Sequence, residues 1–354
     1  MESKGFEVVL VNARHVKNVP GRKSDVLDCQ WLQQLHSYGL LQASFRPSLD
    51  VCALRAYVRQ RGTLVRYAGS HIQHMQKALH QMNLKLDRVV SNICGKTGMT
   101  IIRSILAGER DPVVLAGYRD GRCKRSEEEI ARSLCGNYRE EYLLQLRQAV
   151  ESYDFYQTKI AECEREILKQ LNSMESDGQN LSGPTAKDEV STAMSKITGV
   201  DLTLIEGISA ITALIILSEI GYDLSRWKSS KHFCSWLGLC PGTKISGGKV
   251  LGKSSRRTAN RAANALRLAA MSLHSSKSAL GGFFRRMKSR LGAPKAITAT
   301  AHKLARLIYS LMKNGNEYLA NDLKQYEDRY QAQKLQGLVN HAKSMGFQIV
   351  PVSQ

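Results

Sequence analysis

The sequence predicts a mostly α-helical protein with a small α/β piece at its N-terminus. Three observations carry that prediction. Apolar residues recur at alternating spacings of three and four over two long stretches, which is the pattern of helices burying one stripe. One short run, Phe6 to Asn12 (FEVVLVN), is rich in β-branched residues in the manner of a buried strand. Beyond residue 190 the chain becomes mostly helical again. With 354 residues, 43% hydrophobic and 23% charged, the chain has ordinary globular composition, which excludes wholesale disorder and allows two or three domains. Nothing approaches 18 consecutive apolar residues and the N-terminus has no signal pattern, so a cytoplasmic protein is expected. The 8 cysteines stand singly without a CxxC pair, which reads as reduced thiols. Cys234, Cys240 and His232 match no zinc spacing.

The elements follow in order. After the FEVVLVN strand comes a Pro-Gly turn at Pro20 and Gly21, and Ser24 stands where a helix N-cap belongs. The helix it opens runs through Trp31 and Leu32 toward Leu35. A lone strand has nothing to pair with, so residues 1–50 read as the later part of an α/β domain, and the chain is expected to begin inside it. Residues 51–176 hold the two heptad stripes. Val65, Ala68, Ile72, Met75, Leu79, Met82, Leu86, Val89 and Ile93 form the first. Leu143, Leu146, Val150, Tyr153, Ile160, Ile167, Leu171 and Met174 form the second, with Gln157 and Glu164 as its polar entries. Joined through a loop near Gly95 to Arg125, the two helices suit an antiparallel hairpin, a dimeric coiled coil or a bundle core. The polar stretch ESDGQNLSGPTAKDEV, Glu175 to Val190, is a linker, with the domain boundary placed at 177–192. A helical domain spans 193–325 and a tail 326–354. Within that domain, Gly207 and Ser209 make a tight turn before the apolar run to Gly221. This resembles a helix-hairpin-helix, whose backbone N–H groups hold phosphate.

Charge is the strongest functional signal. Lys plus Arg number 51 against 31 Asp plus Glu, for a net charge of +20. From Leu224 to Asn316 there are 19 Lys or Arg and no Asp or Glu. A solvated helix face mixes both signs, so a run of one sign at this length points to a polyanion, with nucleic acid first.

Two constellations can carry chemistry. Asp25 and Asp28 stand at i and i+3, so a helix puts both on one face. Paired carboxylates suit Mg²⁺ held with substrate phosphates, although acids in a first helical turn are also favoured by the helix dipole. The segment Cys240 to Gly252, CPGTKISGGKVLG, sets Ser246 beside Gly247 and Gly248, among Lys244, Lys249 and Lys253. Its glycines permit close approach to a phosphate and its lysines supply charge; from these residues alone, phosphate binding outweighs a nucleophilic serine. It is not a Walker A loop.

Together these motifs resemble a known family. HVKNVPGRKSDVLDCQWLQQLHSYGLL, His15 to Leu41, is similar to the end of the RuvC-like domain of DEDD transposases from insertion sequences of the one-ten type. FCSWLGLCPGTKISGGKVLGKSSRRTANRAANALRLAA, Phe233 to Ala270, resembles that family's C-terminal transposase domain, and the Gly207 turn fits its opening. The resemblance implies an RNase H-like fold for the N-terminal piece, a connecting coiled coil, and a site-specific DNA recombinase that moves its own element. It implies that Asp25 and Asp28 are the last two of four acids binding Mg²⁺ or Mn²⁺. It also implies that Ser246 attacks the DNA backbone, which reverses the reading from residues alone. Gly207, Ser209, Lys244, Gly247, Gly248, Lys249, Lys253, Arg256, Arg257 and Arg261 are the nucleic-acid contacts expected. A structured non-coding RNA and a homodimer or homotetramer are the further partners. The family's first Asp and its Glu have no match here: the upstream acids are Glu2 and Glu7, and neither fits. The expected chain is therefore a transposase truncated at its N-terminus. The alternatives are a non-catalytic nucleic-acid-binding remnant and a structure-specific junction nuclease.

Overall fold

A computed structural model of the protein describes residues 4–16, 25–41, 43–174, 188–255 and 260–349. The chain divides into two compact units, Met1–Ala53 with Thr198–Gln354, and Leu54–Ile197. In chain order, α1 (Ala13–Val16) and α2 (Asp25–Ser37) belong to the first unit, and α3 (Leu49–Gln81) starts there and continues into the second. The second unit holds α4 (Leu86–Val89), α5 (Lys96–Leu106), α6 (Pro112–Ala116), α7 (Glu127–Ser133), α8 (Glu140–Ser173) and nearly all of α9 (Glu189–Thr198). Then α10 (Ala210–Ile220), α11 (Ser230–Trp236), β1 (Pro241–Ser246), β2 (Lys249–Ser255), α12 (Arg261–Ser272), α13 (Ala279–Leu291) and α14 (Ala293–Ser344) return to the first. Among the described residues no helix is long and apolar enough to cross a membrane.

In the second unit α3 and α8 run antiparallel. Cys163 Sγ donates to the Tyr57 carbonyl at 3.2 Å, Arg61 bonds Glu164 at 2.8 Å, and the Tyr67 and His71 rings lie 5.5 and 5.4 Å from Tyr156. Partner numbers fall along α8 as they rise along α3. The expected stripes are buried at Ala68, Met75 and Leu79, and at Leu143, Leu146, Val150, Ile160, Ile167 and Leu171. Gln157 and Glu164 are exposed rather than part of a core, and Val65 is exposed too.

Two expectations fail here for one reason. The first heptad does not continue as a single helix, and the segment after Gly95 is not a loop. Asn83 takes a left-handed conformation (φ 61°) just past the end of α3. The apolar residues beyond it, Met82, Leu84, Leu86 and Ile93, turn in to pack with Ile101, Ile102, Ile105, Leu115 and Ile130, in a core continuous with Met75, Leu79, Leu143 and Leu146 of the long helices. Short helices are stable there because their ends are capped and their apolar faces meet. The Asp111 side chain accepts from Val113 N ahead of Pro112, and Ser126 with Glu129 forms a reciprocal capping box. Gly98 and Gly136 make the closest approaches, since a Cβ at either would sit 2.2 Å from a backbone oxygen, that of Ile93 or of Met82.

The first unit is held by apolar packing. Phe6 to Leu10 forms no strand, in contrast to the expected buried one. Phe6, Val8 and Leu10 are exposed, and Ser44 N bonding Leu10 O at 2.7 Å, beside a single Val11–Ala43 bridge, is the pairing observed. A strand needs a continuous ladder, and the described residues supply only this one step. The predicted helix after it exists as α2, while Pro20, Gly21 and Ser24 lie outside the described residues. Further along, Phe45 packs against Trp227 (ring centroids 5.0 Å) and Trp236 (5.2 Å), and Trp227 also meets Phe233 at 5.2 Å. Tyr309 of α14 closes the cluster by donating to the Trp227 carbonyl at 2.8 Å. Arg226 bonding Ala43 O and Tyr222 bonding Asp50 tie the same N-terminal segment to the loop after α10. Small residues line the remaining contacts: Ala262, Ala263, Ala269 and Ala270 on α12, and Ala296, Ala301 and Ala305 on α14, are all buried. α9 starts at Glu189, inside the stretch expected as linker, and α14 runs across residue 325 with a break at Gly315 (φ 81°).

Two substitutions test this packing. Gly to Ala inside a helix ordinarily stabilises by about 0.5–1 kcal/mol. At Gly98 the clash reverses the sign, and Gly98→Ala is expected to lower stability by about 1–3 kcal/mol in denaturant titration. Trp227→Ala is expected to cost about 3–5 kcal/mol, because it empties the centre of the aromatic cluster.

Candidate nucleic-acid interface and catalytic residues

The glycine-rich segment folds as a β-hairpin. Gly247 (φ 54°) and Gly248 (φ 74°) form its two-residue loop, and two consecutive positive φ values are what a type I′ turn requires. That turn is the reason for these glycines: a Cβ on either would meet nothing within 4 Å, so space is not the constraint. The strands pair antiparallel from Pro241↔Ser255 to Ser246↔Lys249. The register shifts after Lys244↔Gly252 to Ile245↔Val250, which leaves Leu251 as the extra residue of a bulge. The sequence reading missed this hairpin, although Gly-Gly between two runs of strand-forming residues is its signal.

Ser246 is therefore the last residue of β1, exposed, with Lys249 opposite it across the turn and exposed as well. Lys244 sits two positions before Ser246 on β1, and Lys253 pairs with Thr243 further down the ribbon. Ile245 (64% exposed) and Leu251 (71% exposed) leave the ribbon largely uncovered. Arg256 and Arg257 lie outside the described residues. Arg261 opens α12 and is exposed, behind an Asn260 cap that accepts from Ala263 N.

At the other expected phosphate site the geometry gives each residue a structural role. Gly207 has φ 87°, and a Cβ there would lie 3.1 Å from the Ala269 carbonyl oxygen, so glycine lets the turn touch α12. Ser209 caps α10 by accepting from Thr212 N at 3.2 Å.

Asp28 is exposed on α2, and Asp25 is the first residue of the same helix, one turn before it. Trp31 Nε1 donates to the Val16 carbonyl at 3.2 Å, which holds α2 against α1. Among the described residues no group of three or more His, Cys, Asp or Glu stands close enough to hold a metal. Two carboxylates one turn apart fit a divalent ion that keeps waters and phosphate oxygens as its other ligands, and they do not make an all-protein cage. Near the hairpin, burial pushes the Cys234 thiol up to about 12, and His232 bonds Ser229 Oγ at 2.8 Å through Nδ1.

Asp28, the Gly207 turn and the hairpin all belong to the first unit. So does the acid-free segment, and none of its described Lys or Arg residues is buried. Lys303 over Phe283 (4.9 Å) and Arg226 over Phe45 (5.6 Å) rest on aromatic faces, which position a cation without neutralising it.

Comparison with known proteins agrees with this layout. Residues 201–284, which include the Gly207 turn and the whole hairpin, match the model of the Transposase IS116/IS110/IS902 family. Residues 1–84, which include α2, match the IS110-type DEDD transposase model. No curated protein matches the chain. With two separate matches in order, each covering one of the candidate sites, the chain belongs to the IS110-type DEDD transposases of insertion sequences.

Proposed function

We propose that this transposase cuts and rejoins DNA with Ser246 as nucleophile. The observation that carries the reading is the placement of Ser246: exposed beside a rigid type I′ turn, paired in register with Lys249, in a segment without a single carboxylate. Its Oγ attacks a backbone phosphorus. The bond to the leaving DNA oxygen breaks as the seryl phosphodiester forms, and that oxygen takes up a proton. A DNA hydroxyl then attacks the seryl phosphodiester, restoring a DNA phosphodiester and the free serine, so no outside energy is needed. Lys249 offers positive charge where negative charge grows on the phosphoryl oxygens. Lys244, Lys253, Arg256, Arg257 and Arg261 hold flanking phosphates, with Gly207, Ser209, Gly247 and Gly248 offering backbone approach. Neutralisation of this kind is salt-sensitive.

Divalent-metal dependence is general to the family. Asp25 and Asp28 are the residues of this chain that would hold Mg²⁺ or Mn²⁺. Such an ion supplies charge neutralisation at a phosphate. A structured RNA is a second polyanion that suits the same basic segment, and joining two DNA ends calls for two or four copies of the chain.

Ser246→Ala is expected to abolish the covalent protein–DNA adduct on a denaturing gel while salt-dependent DNA binding persists. An adduct that survives the substitution would remove Ser246 from the chemistry, and binding without any adduct in the unsubstituted chain would make this a non-catalytic DNA-binding protein. Asp28→Asn is expected to lower metal-dependent cleavage roughly 100-fold or more without weakening binding. Unchanged cleavage across a Mg²⁺ titration would sink the metal assignment.

A further inference from the structure

The small helical core of the second unit contains a recess of about 540 Å³. Its walls come from three separate stretches of chain, 87–92, 95–97 and 120–125, all beyond the residues that match either family model. Five cations line it, Arg88, Lys96, Arg122, Lys124 and Arg125, against the carboxylates Asp87 and Asp120.

Both carboxylates are already engaged. His80 bonds Asp87 at 2.7 Å, while Asp120 is bonded by Arg122 at 3.0 Å and approached by Lys96 at 3.7 Å. The Arg122 bond holds the Asp120 carboxyl down at about 2, so it is ionised across the physiological range. Arg125 pairs with Glu129 at 3.1 Å. Arg88 and Lys124 remain, exposed on opposite walls and with no carboxylate partner among the described residues.

The recess is also rigidly built. The Gly98 approach pins the loop Ser91–Gly95 over the first turn of α5. Thr97 Oγ1, 6% exposed as a residue, accepts from Asp120 N at 3.0 Å and fixes the opposite wall. The first turn of α5 has no side-chain cap, so its N–H groups add to the same positive potential. A half-open recess of this volume admits one small ligand or one residue of a polymer. Being net positive with two uncommitted cations, it selects a phosphate, and a flexible strand can follow a concave surface that a stiff duplex cannot.

We propose that this recess binds a backbone phosphodiester of a single-stranded nucleic acid, as an anchor separate from the Ser246 hairpin. The test uses the full chain and a fluorescein-labelled single-stranded oligonucleotide, followed by anisotropy over a range of salt concentrations. Arg88→Gln/Lys124→Gln removes the uncommitted charges and breaks no ion pair. The slope of log K against log salt is expected to fall by about 0.7, the value for one phosphate contact on a single strand. The control Arg147→Gln/Arg165→Gln, on exposed positions of α8, is expected to leave the slope unchanged. An unchanged slope in the first variant, or an equal fall in both, would overturn the proposal. So would displacement of the labelled strand from the recess by millimolar ATP in the unsubstituted chain but not in Arg88→Gln/Lys124→Gln, which would make this a free-nucleotide site. Formation of the Ser246 adduct is measured alongside: its loss in Ser246→Ala with the slope intact separates failure of the serine reading from failure of this one.

Discussion

A stretch of 93 residues with 19 cations and no acid cannot be folded by ion pairs. A charge buried within it would find no acid of the same stretch to compensate it, and an uncompensated buried charge costs several kcal/mol. The first unit meets that constraint chiefly with apolar packing, tied by a few hydrogen bonds such as Tyr309 to the Trp227 carbonyl. α12 and α14 approach on alanine faces, and Trp227, Phe233, Trp236 and Tyr309 build an aromatic centre that also takes in Phe45 from the N-terminal segment. None of the described cations is buried; some rest on an aromatic ring or bond a neutral partner, as Arg226 does with the Ala43 carbonyl and Arg285 with the His274 carbonyl. The charge that cannot help the fold is what remains for a phosphate backbone. The same aromatic centre draws the chain that follows α2 into the unit that carries the hairpin, so Asp28 and Ser246 are held by one body of structure.

The hairpin shows how turn chemistry sets a functional position. A two-residue loop with positive φ at both positions excludes nearly everything but Gly, Asn and Asp, and it matches the twist of the strands it joins. The residue before the loop and the residue after it are thereby forced opposite each other. Here they are Ser246 and Lys249. A ribbon of two strands gains little stability in water by itself. Ile245 and Leu251 are exposed along it, so the ribbon buries little apolar surface of its own.

Much of this was legible in the sequence, for identifiable reasons. The long α3 and α8 stripes were readable because burial on one face imposes a period, and the helix with Asp25 and Asp28 because it has a regular start and length. The basic segment was readable from the distribution of charge, and the family from the resemblance of the runs His15 to Leu41 and Phe233 to Ala270. The hairpin is hard to see in the sequence because Gly-Gly suits both a loop that approaches a phosphate and a two-residue turn between strands. The small core around Ile101 and Ile105 was missed because the heptad spacing continues through Met82 to Ile93 although the helix stops. A pattern of spacings cannot show that Asn83 turns the chain. The FEVVLVN strand failed because β-branched residues set a preference, and only pairing makes a strand. The recess at α5 draws its walls from three stretches, a juxtaposition that no local pattern encodes.

The central claim is that Ser246 forms the bond to DNA, and the most direct measurement is the location of that bond. DNA carrying the element end is incubated with the chain and a divalent ion, the adduct is digested with nuclease and protease, and the modified peptide is sequenced by mass spectrometry. The account predicts a nucleotide phosphodiester on Ser246 within the peptide of the hairpin turn. A nucleotide on any other residue, in a preparation that cleaves DNA, would contradict it.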